Sequence, residues 1–193
     1  MSEKIADWLI RQKAISADER ELYIYAVHCL FSLLYPIVFA SVVGAIFGMV
    51  METIVMITPF ILVRKFAGGY HADSFGKCLI ISSMVIIVTI QIAMVVDNSY
   101  ILNAIYVAGS MLLILFSPID SENKRLDIDD KKFCKKITVF IVLILFIIVE
   151  TFWLKGYRYY IKFIEIGVVL AELLQIVAII INLLNSIRNC REE

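Results

Sequence analysis

Residues 27–63 read VHCLFSLLYPIVFASVVGAIFGMVMETIVMITPFILV, a run of 37 residues in which Glu52 is the one Asp, Glu, Lys or Arg. A bilayer core about 30 Å thick takes roughly 20 apolar residues per helix. The run is therefore too long for one span and long enough for two tight ones. Gly44, Gly48 and Met51-Glu52-Thr53 mark the turn between them, and the second span carries Pro59. Four further apolar runs follow: Leu79 to Val96, Tyr100 to Phe116, Ile137 to Leu154 and Phe163 to Leu184. The expectation is an all-α integral membrane protein of about six transmembrane helices.

Composition agrees. Hydrophobic residues make up 61% of the 193 and charged residues 19%, against about 45–50% and about 25% in soluble domains. Lys+Arg and Asp+Glu are both 18, so no global basic field argues for nucleic acid. The position of the cations is informative. With the amino terminus inside, inner segments hold 15 of the 18 Lys and Arg, and only Lys155, Arg158 and Lys162 lie outside. Lys and Arg gather in short cytoplasmic loops, so both termini are expected in the cytoplasm of a multi-pass plasma-membrane protein. Tyr157, Tyr159 and Tyr160 fit as interfacial anchors on the outer side.

One membrane domain, 1–193, then divides as follows. Residues 1–25 form an amphipathic cytoplasmic helix, 27–63 spans one and two, and 64–78 a polar segment. Residues 79–116 form spans three and four, 117–136 a basic cytoplasmic loop, 137–184 spans five and six, and 185–193 a cytoplasmic tail. Residues 1–25 lack the compact apolar region of a secretory signal. Ile5, Trp8, Leu9 and Ile15 share a face, which suits either an interfacial helix or a short helix packed on the loops. Glu150 and Glu165 lie near span ends, where snorkelling is the cheaper account, and Glu172 lies deeper. Glu165, Glu172 and Gln175 together mark a polar stripe in the last span.

Cys29, Cys78, Cys134 and Cys190 share no metal-type spacing. The chain has no P-loop, GxGxxG or HExxH, so neither a metal nor a cofactor is expected. One segment does break the apolar pattern: Arg64-Lys65-Phe66-Ala67-Gly68-Gly69-Tyr70-His71-Ala72-Asp73-Ser74-Phe75-Gly76-Lys77-Cys78. A thiolate is a strong nucleophile, and an imidazole can take the thiol proton. Seven residues of straight helix rise roughly 10.5 Å, whereas proton transfer needs about 3 Å. The pair can meet only if the helix starts between them. Gly68-Gly69 and Gly76 permit such a break. Span three is therefore expected to start at about Ser74, with Asp73 or Ser74 as its cap. Cys78 then falls at the end of the first turn, where the helix dipole favours a thiolate. Lys77 and Arg64 add positive charge, and a free backbone N–H there could serve as an oxyanion donor. Taken alone, a cysteine in a membrane protein is more often a small buried hydrophobe.

Arg64, Gly68-Gly69-Tyr70-His71-Ala72 and Cys78 resemble the signature of the accessory gene regulator protein B (AgrB) family. Ser117-Pro118-Ile119-Asp120 with Asn123-Lys124 is similar to that family's second cytoplasmic motif. The family pattern has proline after the lysine, where this chain has Arg125. The likeness extends over nearly the whole chain. It implies a membrane cysteine endopeptidase of Gram-positive bacteria with Cys78 as nucleophile and His71 as its partner. The implied substrate is an AgrD-type pro-peptide, whose tail is cut off and whose acyl-enzyme closes to a thiolactone or lactone quorum-sensing signal. Arg64, Gly68, Gly69, Ser74, Lys77, Lys124 and Arg125 are the candidate substrate-binding and supporting residues. Basic residues 124–136, with Arg64, Lys65 and Lys77, offer counter-charge to an acidic tail, or simply obey the positive-inside rule. Two rival readings are a non-catalytic transporter or export subunit and a membrane thiol acyltransferase. Six short spans leave little room for a substrate pathway through one copy, and a homodimer could form one.

Overall fold

The computed structural model describes residues 2–68, 75–96, 100–119 and 127–192, without the side chains of 32, 75–79, 185, 186 and 188–192. Among the described residues the fold is all-helical. Helix α1 spans Ser2–Arg11, α2 Arg20–Ile46, α3 Val50–Ala67, α4 Phe75–Val95, α5 Tyr100–Phe116, α6 Ile128–Leu154 and α7 Arg158–Glu192. A 3-10 turn, Ala17–Glu19, precedes α2. Among the described residues, three helical stretches are long and apolar enough to cross a membrane: Ala17–Ile46, Ile128–Leu154 and Arg158–Leu184. Ile80–Val95 and Tyr100–Phe116 are shorter apolar helices. On α2, Leu30, Leu34, Val38, Val42 and Ile46 form an outward stripe, with Ile46 74% exposed. Water would oppose so large an apolar face, and lipid accepts it, because each helix satisfies its own backbone.

The break between α2 and α3 falls at Phe47–Met49, tighter than the stretch from Gly44 to Thr53 suggests. Gly48 takes φ +69, and Met49 N–H closes the turn on Gly44 O at 2.7 Å. Glu52 lies in the first turn of α3, where the helix dipole favours an acidic group, and accepts a hydrogen bond from Tyr159 Oη at 2.9 Å. Helix α6 begins at Ile128, inside the stretch expected as loop. Asp129 and Asp130 in its first turn suit the positive end of the dipole, so Lys131, Lys132, Lys135 and Lys136 ride on helix. Similarly, α7 runs on through 185–192, the residues expected as a tail.

Contacts at the helix ends fix the order in which α2–α7 alternate. Ile119, just after α5, bonds the last residue of α3, so those two carboxyl ends share one end of the bundle. At the other end Tyr159 reaches Glu52, and Lys162 Nζ donates to Val96 O at 3.2 Å. There too the Arg158 guanidinium lies over Trp153, 4.3 Å from the ring centroid, and over Tyr100 at 5.4 Å. The core sits on α7 and α3: Val63, Met56 and Ile57 on one side, Phe163, Val168 and Ala171 on the other. Gly167 lets α7 lie against the carbonyl of Met56, where a Cβ would overlap that oxygen.

Two carboxylates depart from the snorkelling expected of them. Glu165 is fully buried, and one amide, Asn103 Nδ2, donates to Glu165 Oε1 at 3.0 Å and Glu150 Oε1 at 3.1 Å. Burial of a carboxyl needs a hydrogen-bond donor, and α5 supplies it. Glu172 is nearly buried too, its carboxylate lying over Gly109 where a side chain would collide. Helix α1 docks on α2 with Ala6 fully buried and Asp7 accepting from Arg20 Nε at 2.8 Å, while Trp8 stays exposed.

Candidate functional site

The polar segment starts on the last turn of α3. Arg64 is half-buried, and its Nη1 is out of reach of solvent. Lys65 is exposed, with Nζ 5.4 Å from the Phe66 ring centroid. Ala67 is buried and ends the helix. Gly68 then takes φ 77 and ψ −164, a combination essentially reserved for glycine. It turns the chain out of the helical path and forms an isolated β-bridge with Ile119. Ile119 N–H donates to Ala67 O at 3.0 Å, and a Cβ on Gly68 would overlap the Ile119 carbonyl oxygen. The glycine is thus required twice, by its backbone angles and by the approach of the other strand.

Ile119 belongs to the second motif, so the bridge joins two stretches that lie 51 positions apart in sequence. That motif is itself held. Ser117 N–H donates to Leu113 O at 3.1 Å, which finishes α5. Ser117 Oγ accepts from Gln175 Nε2 of α7 at 3.0 Å, and both residues are buried. The Ser117–Pro118 peptide bond is cis.

Helix α4 starts at Phe75, which makes Cys78 its fourth residue. The thiol-bearing position therefore lies on the first turn, where unpaired N–H groups carry partial positive charge. Residues 69–74 link α3 to α4, and so short a chain spans at most about 25 Å from Gly68 to Phe75. Gly69, His71 and Ser74 fall in that link and lie outside the described residues, as do Lys124 and Arg125 of the second motif. For Lys77 and Cys78 the described part is the backbone. Of the residues singled out in the sequence, Gly68 is found paired with the Ser117-Pro118-Ile119 stretch, one helical turn after Arg64, and α4 begins at the same end of the bundle. No group of three or more His, Cys, Asp or Glu suited to a metal occurs among the described residues.

Gln175 is the residue that sequence reasoning left unassigned. It stood out as polar in an apolar span, spaced from Glu165 and Glu172 so that all three share a face. Its partner Ser117 lies 58 positions away, which no local pattern encodes.

The accessory gene regulator B family model matches residues 2–181. Two AgrB-like proteins of Clostridium perfringens, one from strain SM101 and one from strain 13, are each 23% identical over 143 residues, 68% of this chain. The chain spans 65% of the length of each of these relatives. No solved structure matches the chain. A family match over nearly all of the sequence, carried on a helical membrane fold with both signature stretches joined at one end, means that the chain belongs to the accessory gene regulator B family.

Proposed function

We propose that this protein is a membrane cysteine endopeptidase of the agr quorum-sensing system, which its family implies. It cuts the carboxyl-terminal tail from an AgrD-type pro-peptide and closes the remainder into a ring. The observation that carries the reading is the backbone pairing of Gly68 with Ile119. It joins Gly68, three positions before His71 in sequence, with the second motif, at the bundle end where α4 begins just before Cys78.

In the proposed reaction His71 takes the proton of the Cys78 thiol. The helix dipole at the start of α4 favours the resulting thiolate. Cys78 Sγ attacks the scissile carbonyl carbon, the C–N bond breaks, and the tail leaves as an amine carrying the proton returned by His71. This step converts an amide to a thioester and is uphill, so loss of the released tail pulls it forward. A cysteine or serine within the peptide then attacks the thioester carbonyl and frees Cys78. For a cysteine this is thioester exchange, close to isoenergetic, and it succeeds if water is kept out. Arg64, Lys65, Lys77, Lys124, Arg125 and the lysines of α6 offer counter-charge to an acidic tail.

The same reading takes α2–α7 as six spans with both termini in the cytoplasm. The bundle end with Arg64, Lys65 and the lysines of α6 faces inward, and the end with Lys155, Arg158 and Lys162 faces outward. Cys78→Ala tests the activity: peptide cleavage should disappear while the chain still inserts. Cleavage that survives this change would overturn the reading in favour of a non-catalytic export subunit.

A further inference from the structure

We propose that Gln175 and Ser117 form a positioning latch that holds the candidate catalytic segment in register with the bundle; the role rests on the peptidase reading above. A continuous path of contacts leads from α7 to that segment. Gln175 Nε2 donates to Ser117 Oγ at 3.0 Å, with Gln175 2% and Ser117 3% exposed. Two residues on, Ile119 N–H donates to Ala67 O at 3.0 Å and its backbone pairs with Gly68. The next residues in sequence are Gly69-Tyr70-His71.

Each link in the path is stiff. Pro118 has a fixed φ, and Gly68 is hemmed in by the Ile119 carbonyl. Helix α7 is itself seated, with the Gly167 backbone against Met56 and Glu172 against Gly109. An apolar pair in place of Gln175 and Ser117 would pack without fixing direction. A hydrogen bond fixes both distance and angle, and a buried amide that loses its acceptor is penalised. Any slide of the 117–119 stretch along α7 would break this bond and carry Gly68 with it.

Acyl transfer is sensitive to such slides. A misplacement of about 1 Å can cost about 100-fold in rate. In this scheme Gln175 and Ser117 are positioning residues that act through the backbone pairing at Gly68. The second half-reaction is the more exposed of the two, since a loosened segment lets water reach the acyl-enzyme before the peptide's own nucleophile. Latch loss therefore shifts product from ring to linear peptide.

The test uses the full chain in lipid vesicles with an AgrD-type pro-peptide labelled at its amino terminus. Wild type, Cys78→Ala, Ser117→Ala, Gln175→Leu, the double Ser117→Ala/Gln175→Leu and Ser117→Thr are compared for kcat, KM, the ratio of cyclic to linear product, and melting temperature. Each single truncation leaves a buried polar group without its partner and lowers the melting temperature, whereas the double removes both groups and recovers it. Expected for the double variant is a kcat lower by about 10- to 100-fold with KM within about twofold, and a larger linear fraction. Ser117→Thr, which keeps the hydroxyl, restores kcat. Gln175→Met, closer to glutamine in shape, replaces Leu if the double variant fails to insert. A double variant with wild-type kcat and product ratio overturns the latch, and so does a kcat that follows melting temperature across the whole set. A wild-type chain that leaves the peptide intact, or a Cys78→Ala chain that still cuts it, overturns the peptidase reading and the latch with it.

Discussion

At position 68 a single methyl group decides between two states of the chain. The backbone angles there are ones that only glycine adopts without strain of about 1–3 kcal/mol, and the methyl would also press on the Ile119 carbonyl. Gly68→Ala is expected to lower stability by at least that amount and to part the two motifs, with peptide cleavage falling more steeply than melting temperature. Melting curves beside cleavage rates check this. The sequence made the glycine pair conspicuous and tied it to a break in the helix. It could not name the approaching group, because Ile119 is remote in sequence and its own residue type carries no signal. Cys78 was read as lying on the first turn of a helix, and among the described residues α4 begins at Phe75. Gln175 shows the opposite case. Its polarity was visible, but the partner that explains it belongs to another helix end.

Between elements, the contacts that matter are close or charged. Where α7 crosses α3, Gly167 meets the Met56 carbonyl and Pro59. Gly167→Ala should separate the helices and lower stability by about 1–3 kcal/mol, measurable as a shift in detergent melting. Helix α1 depends on a different contact. The Arg20 guanidinium holds the Asp7 carboxyl below the usual carboxylate range through their hydrogen bond. A carboxyl whose pKa is lower folded than unfolded stabilises fully above the unfolded value, about 3.9. That contribution fades as pH falls through the lowered folded value. Docking of α1 should therefore be constant from neutral pH to about pH 4 and loosen below it, and Asp7→Asn should loosen it already at neutral pH and remove the pH dependence without unfolding the bundle. Hydrogen exchange over residues 2–11 reads both effects, and loosening already at pH 6 would count against the ion pair. Asp7 and Arg20 were visible as charges, but their pairing needed the fold. Likewise the polar composition of residues 127–136 hid a helix start, because its Asp residues suit a helix amino terminus better than any apolar period could reveal.

At the scale of the molecule, hydropathy and charge were enough to anticipate an all-α membrane protein, since lipid forces each span to satisfy its own backbone and cations mark the loops. How the spans pack was not legible: it depends on small residues such as Gly109 and Gly167, whose neighbours come from other helices. The proposed topology has a direct consequence. In a chain whose native cysteines are replaced by serine, Lys155→Cys should react with a membrane-impermeant maleimide applied outside intact cells, and Lys132→Cys should react only after lysis. The central claim concerns Cys78, and a trapped intermediate tests it most directly. The full chain is incubated with an AgrD-type pro-peptide whose ring-closing cysteine is changed to alanine, and the intact protein is weighed. The expected result is an added mass equal to that of the peptide without its tail less one water, held as a thioester on Cys78 and missing from Cys78→Ala. Cleavage by Cys78→Ala, or a fatty acyl mass on Cys78 in place of a peptidyl one, would contradict it.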